Sequence, residues 1–181
     1  MNLDTLKKEL KQNRFLFSFI LKGLLFFTLW NTLVKFLVNK IYSDINALTV
    51  SYGAVMKTLY GWVGIDGHYT ITDKRGCLIW IDQQPVVNIA DPCNGFELFG
   101  LFIGFIWAFG GKKYRWLFLL AGSLSIYIIN LIRMFALANV AQNHHELLDF
   151  HHHYTFTIFV YGYIVLLWWA WTKLNSKPAN V

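Results

Sequence analysis

Four apolar runs in this chain are fenced by lysine and arginine, and that alternation constrains the fold more than any other feature of the sequence. The first run, 15–38, follows Lys7, Lys8, Lys11 and Arg14, with Lys22 close enough to its basic end to snorkel. The second, 94–110, stops at the loop Gly110-Gly111-Lys112-Lys113-Tyr114-Arg115. The third, 116–138, leaves that loop directly, and the fourth, 153–172, is closed by Lys173 and Lys177. At about 1.5 Å per residue, roughly 20 apolar residues match the ~30 Å hydrocarbon core of a bilayer. Lysine and arginine collect on the cytoplasmic side of such segments. The pattern therefore predicts an integral protein of the cytoplasmic (inner) membrane with both termini in the cytoplasm. The expected fold is a polytopic α-helical membrane protein of about four transmembrane helices, forming one domain over 1–181.

Composition supports this reading. The chain is 56% apolar and 14% charged, whereas soluble domains carry about 25% charged residues. The net charge of +6 does not point to nucleic acid, because the cations sit beside apolar runs rather than along a basic face. A basic start followed by an apolar run also fits a signal peptide. No small-x-small cleavage site follows Val38, so 15–38 is expected to stay as a helix.

Segment 45–65 is moderately apolar but carries Lys57 and several polar residues. If it crossed the membrane, the basic loop at 112–115 would face outward, against the charge bias. It is expected to be a surface amphipathic helix on the extracytoplasmic side, or equally a buried helix that does not span. Over 69–90 the pattern turns to strand: Tyr69 to Thr72 and Cys77 to Ile81 flank the turn signal Asp73-Lys74-Arg75-Gly76. A third strand, Val86 to Ile89, is expected after a turn at Pro85. The result is a small extracytoplasmic β meander leading into Cys93.

This topology brings Cys93, Arg133 and the histidines at 151–153 to one face of the membrane. Asp91-Pro92-Cys93-Asn94-Gly95 reads as a helix start, with Asp91 as cap and Pro92 at the first helical position. Cys93 is then expected in the first turn, where unpaired N–H groups and the helix dipole favour a thiolate. A space-filling thiol, or one bonded to Cys77, is the alternative. Arg133 lies 17 residues beyond Trp116, roughly 26 Å along a helix and near the far edge of the hydrocarbon. Snorkelling alone accounts for an arginine there. Asn130, one turn earlier on the same face, and Arg133 would together suit donation to an oxyanion. Glu97 lies one turn into the second run and either answers the helix dipole or orients Arg133.

His144, His145, His151, His152 and His153 crowd the approach to the last run. An imidazole activating Cys93 is one use for them. The other is a metal site, in which a helix over 144–153 would bring His145, Asp149 and His152 to one face. That alternative describes a non-enzymatic membrane metal-binding or assembly protein using 144–153. Gly100 and Gly104 suit close helix packing, and Trp107, Trp116, Trp168, Trp169 and Trp171 suit an aromatic belt at the cytoplasmic edge.

A strand meander, then Cys93-Asn94-Gly95, then Asn130-Leu131-Ile132-Arg133, then the stretch 151–159 opening a last helix, resembles the exosortase/archaeosortase family. The resemblance covers about 70–171. It implies a membrane cysteine protease/transpeptidase that needs no cofactor or metal. Such an enzyme cleaves C-terminal sorting signals of exported proteins, each made of a motif, a transmembrane helix and a basic tail. It passes the chain through a thioester to an acceptor such as a glycan or lipid amine. Carried over, Cys93 is the nucleophile, Arg133 the transition-state stabiliser and His151 the base, with His152 and His153 as alternates. Asn130, Asn94 and Glu97 support them. Thr155, Phe156 and Phe159 match the family pattern after His151, with threonine in place of the usual glycine. Asn94 stands where that family commonly has serine.

Overall fold

A computed structural model describes residues 13–34, 36–37, 47–72, 76–90 and 93–175. Helix α1 (Arg14–Leu29) runs into a π-turn, Trp30–Val34. Helix α2 (Ala47–Trp62) follows, then strands β1 (Gly67–Thr72), β2 (Gly76–Ile81) and β3 (Gln84–Ile89). Helices α3 (Phe96–Phe109) and α4 (Arg115–Asn143) come next. Short turns over 145–155 lead to α5 (Phe156–Asn175).

Among the described residues three helical segments are long and apolar enough to cross a membrane: Arg14–Thr32, Arg115–Asn143 and Phe156–Asn175. Helix α3 is equally apolar but has 14 residues, roughly 21 Å. It is also set deepest among its neighbours. Gly100 and Gly104 let α1 approach, since a Cβ on either would come within 2.6 Å of the Trp30 or Phe26 ring. Gly122 of α4 makes room for Phe102 in the same way. Outward, α4 presents Leu117, Leu120, Leu124, Ile128 and Ile132, all exposed and spaced three or four residues apart.

The helices alternate in direction, so the bundle has two unlike ends. At one, Phe15 meets Phe109 edge-on at 5.7 Å, and Phe118 lies 5.0 Å from Trp171. The Trp171 indole also donates to the Gly110 carbonyl at 3.1 Å. Arg14, Lys112, Lys113, Arg115 and Lys173 belong to this end. Trp171 is fully buried there, so it is a packing residue rather than part of an exposed belt. At the other end Trp30 packs 5.0 Å from Phe96, and the turns opening α3 and α5 come together.

The sheet sits at that second end. Its order is β1-β2-β3, antiparallel throughout. Tyr52, Met56 and Tyr60 of α2, Cys77, Ile79 and Ile81 of β2, Ile89, and Met134 and Ala138 of α4 form one buried core. Helix α2 thus turns its apolar stripe to the sheet and α4, so one face of the expected amphipathic helix is buried; residues 45–46 lie outside the described residues. Tyr52 stacks on Tyr127 and Tyr60 on Phe135, at 4.7 and 4.9 Å.

Several boundaries move from expectation. The β2–β3 turn is Asp82-Gln83, both with positive φ (49° and 65°), as a two-residue hairpin requires. Pro85 is therefore not the turn; it lies within β3 opposite Trp80, beside a register irregularity. An outer strand tolerates proline because one row of its N–H groups has no ladder partner. Helix α4 runs five residues past 138, because Met134, Leu137, Ala138 and Ala141 continue its buried stripe. Residues 73–75, 35 and 38 lie outside the described residues.

Candidate active site

The local chain around Cys93 is a turn. Its N–H donates to the Ala90 carbonyl at 2.8 Å. Asn94 then closes a side-chain turn, its Oδ1 accepting the Phe96 N–H at 2.9 Å. Gly95 follows with φ +76°, a left-handed conformation that glycine adopts without steric cost. Helix α3 begins at Phe96, so Cys93 stands ahead of the helix. The expectation that Cys93 occupies the first helical turn is corrected on this point, because the Asn94–Gly95 turn holds the helix off until Phe96, four residues after Pro92. The proposed cap Asp91 and first-turn Pro92 lie outside the described residues.

Two asparagines hold this turn to the rest of the protein. Asn94 is fully buried, and its Nδ2 donates to Thr49 Oγ1 of α2 at 3.1 Å. Asn130, also fully buried, donates from Nδ2 to the Cys93 carbonyl at 3.2 Å. Its Oδ1 accepts from Arg133 Nη1 at 3.3 Å. A Cβ at Gly95 would lie 3.1 Å from that same Nδ2. One amide group thus fixes both the backbone of the thiol residue and the guanidinium. The Arg133 Nε is buried and has no hydrogen-bond partner among the described residues. A buried, unsatisfied N–H is costly in a folded protein and marks a position where a ligand acceptor would be held strongly.

The histidine at the thiol is His152: its Nε2 lies 3.1 Å from Cys93 Sγ. His151 turns away, its Nδ1 lying 3.2 Å from Thr155 Oγ1, so of the candidate histidines with described side chains it is the alternate, His152, and not the first choice, His151, that stands at the thiol. The physical reason is the π-turn His151–Thr155 that precedes α5. This wider turn rotates successive side chains away from α-helical positions, and such turns recur at functional sites. Thr157 Oγ1 anchors the segment by donating to the His152 carbonyl at 3.2 Å. Nothing is described for the side chains of His153, His145 and Asp149. Among the described residues no three metal-ligating side chains converge.

Two clefts meet at the sulfur. One, about 330 Å³, is lined by Val86, Val87 and Asn88 of β3, Met134 and Leu137 of α4, Leu148, Cys93 and His152. The other, about 190 Å³, is lined by Arg133, Glu97, Leu98, Val160 and Tyr161 together with Cys93 and His152. Cys93, His152, Arg133 and Glu97 thus border one space.

Cys77 and Cys93 are both free thiols. Burial pushes the Cys77 thiol up to about 11, which suppresses its thiolate at neutral pH. Burial likewise raises the Tyr52 phenol above its ordinary range, against a smaller opposing pull from Asn130 and Arg133. Thr49 and Tyr52 are the supporting residues that sequence reasoning missed. The signal was the buried stripe 49, 52, 56, 60 of α2, legible as a packing face but not as one aimed at Asn94 and Asn130.

A thiol with an imidazole at hydrogen-bond range and a fixed cation beside it can perform nucleophilic acyl chemistry. The chain matches no family model, no curated protein and no solved structure.

Proposed function

We propose that this protein is an exosortase-like membrane cysteine transpeptidase, with Cys93 as nucleophile, His152 as base and Arg133 as oxyanion partner. The 3.1 Å approach of Cys93 Sγ to His152 Nε2, in a cleft shared with Arg133, carries this reading. The reading takes α1, α3, α4 and α5 as four spans with both termini in the cytoplasm. The grouping of Arg14, Lys112, Lys113, Arg115 and Lys173 at the end opposite Cys93 supports that orientation. The thiol then faces the extracytoplasmic side, where exported substrates pass.

In the reaction, His152 Nε2 takes the thiol proton as sulfur attacks the scissile carbonyl carbon. Arg133 donates to the oxyanion that forms. The C–N bond breaks, the leaving amine takes the proton from His152, and the substrate remains as a thioester on Cys93. An amine of a glycan or lipid then attacks the thioester, gives its proton to His152 and releases the thiolate, which recovers the proton. Water in place of the amine gives hydrolysis.

The test is co-expression with an exported protein ending in a short motif, an apolar helix and a basic tail. The wild type shortens that protein, and Cys93→Ser leaves it full length while remaining in the membrane. Processing that continues without the thiol would overturn the proposal. A stoichiometric metal lost on His152→Ala, with no processing by any variant, would establish the metal-handling alternative.

A further inference from the structure

The two clefts differ in chemistry and in position along the bundle. Helix α4 runs from the basic end towards the sheet, so Met134 and Leu137 lie beyond Arg133 in the direction of the sheet. Helices α3 and α5 run the other way, so Leu98, Val160 and Tyr161 lie below Cys93 and His152, towards the bundle. The 330 Å³ cleft is therefore on the sheet side of the sulfur, and the 190 Å³ cleft on the bundle side. The sheet-side cleft is walled by Val86, Val87 and the exposed Asn88 of an outer strand. The bundle-side cleft ends at Tyr161, which is 47% exposed. It shares that outward face with Ile158 (72%) and Val165 (56%), one turn to either side of it. That face is apolar and continuous with the outward surface of α5, so this cleft opens sideways, where lipid would lie.

We infer that the two clefts bind opposite sides of one scissile bond: residues preceding it lie along β3, and the segment following it, an apolar membrane helix, enters beside Tyr161. This rests on the acyl-transfer reading and adds its polarity. The acyl half stays over the sheet as the thioester, while the leaving amine departs with its helix between α3 and α5. The sheet-side cleft, with two valines, a methionine, two leucines and Asn88, fits small apolar side chains and one backbone hydrogen bond. The helix end needs no sequence code, since a bilayer delivers any apolar span to Tyr161.

Two electrophiles separate the halves, each forming a thioether with Cys93 as chloride leaves. Acetyl-Ala-Val-Ala chloromethyl ketone carries residues only before the reactive carbon. A chloroacetyl-capped Leu/Ala helix of about 20 residues carries them only after it. Full-length protein in phosphatidylcholine vesicles is treated with each, and rates are divided by the rate with iodoacetamide, which carries neither half. Val87→Trp is expected to slow the ketone about tenfold or more and spare the helix, whereas Tyr161→Lys does the reverse, each within the range one pocket contact controls. Tyr161→Phe keeps the wild-type rate with both. If Val87→Trp loses the iodoacetamide reaction, Asn88→Lys, at an exposed position of the same strand, replaces it. Reversed selectivity, or equal slowing of both probes by each variant, would overturn the inference while leaving the thiol reading intact. If neither probe reacts faster than iodoacetamide after correction against free cysteine, the acyl-transfer reading itself fails.

Discussion

Cys77 and Cys93 lie sixteen residues apart and carry the same kind of side chain, yet they stand in unlike surroundings. Cys77 is fully buried on β2 among Tyr52, Ile79 and Ile89, where burial alone lifts its pKa to about 11. Cys93 is half-buried, at the junction of two clefts, with an imidazole nitrogen 3.1 Å from its sulfur. A thiol in an apolar core loses the hydration that stabilises its anion. A thiol beside a base can hand its proton away. The difference arises in the backbone: a regular strand points Cys77 into the core, while the Asn94–Gly95 turn lifts Cys93 out of the helix that follows it.

The sharpest break in this comparison is deletion of each sulfur. Under the proposed acyl transfer, Cys93→Ala is expected to reduce sorting-signal processing by about 10⁴-fold or more, as loss of a nucleophile does. Cys77→Ala should cost roughly 1–3 kcal/mol of stability as a small cavity, with processing per folded molecule unchanged. Next comes the imidazole. His152→Ala is expected to lower processing by about 10²–10⁴-fold, the usual span for a general base, and to slow alkylation of Cys93 at neutral pH. His151→Ala should change neither, since His151 contacts Thr155. Equal effects from the two histidines would break the geometric distinction between them. Arg133→Lys is expected to cost about 10²-fold, because an ammonium cannot reach Asn130 and an oxyanion with one planar fork.

What was legible in the sequence follows from range of interaction. The apolar runs, the basic fences and the meander are written in neighbouring residues, and α4 and α5 stand close to where periodicity put them. Cys93, Asn130, Arg133 and Glu97 were legible as candidates because polar groups at the ends of apolar helices are expensive. The choice of His152 over His151 was not legible, since it depends on the π-turn His151–Thr155, a rare backbone conformation. The start of α3 was misread for a related reason. Asp91-Pro92 is a strong local start signal, but Asn94 is bound by Thr49, forty-five residues away, and that tertiary contact decided where the helix begins. The role of α2 was half legible: its amphipathic pattern was readable, while only the packed structure shows Thr49 and Tyr52 turned towards the asparagines.

A pH series sharpens the comparison without any substitution. With a pKa near 11, the Cys77 thiolate fraction at pH 8 is roughly one in a thousand. Maleimide at that pH should label Cys93 alone in the folded protein, and labelling of Cys77 should rise only as pH climbs towards 11. The sign for stability is set by the same shift. A thiol raised in the folded state contributes stability at pH values below its unfolded pKa, and that contribution is lost as pH rises through about 11. Rapid labelling of Cys77 at pH 8 would mean that β2 opens towards solvent.

The smallest expected effect tests the turn itself. Gly95 sits at φ +76°, where a side chain costs about 1–2 kcal/mol. A Cβ there would also press on Asn130 Nδ2 from 3.1 Å. Gly95→Ala should therefore destabilise the protein by about that amount and displace the amide that holds both the Cys93 carbonyl and Arg133. Cys93 alkylation at neutral pH is expected to fall while Cys77 stays protected, because the disturbance enters through Asn130 and does not reach the β2 core. If Gly95→Ala slows Cys93 no more than Gly61→Ala, a helix glycine with nothing within 4 Å of its added Cβ, the turn is not what sets the thiol in place. If Cys77 becomes reactive as well, the sheet and the turn unfold as one unit, and the contrast between the two cysteines is one of burial alone.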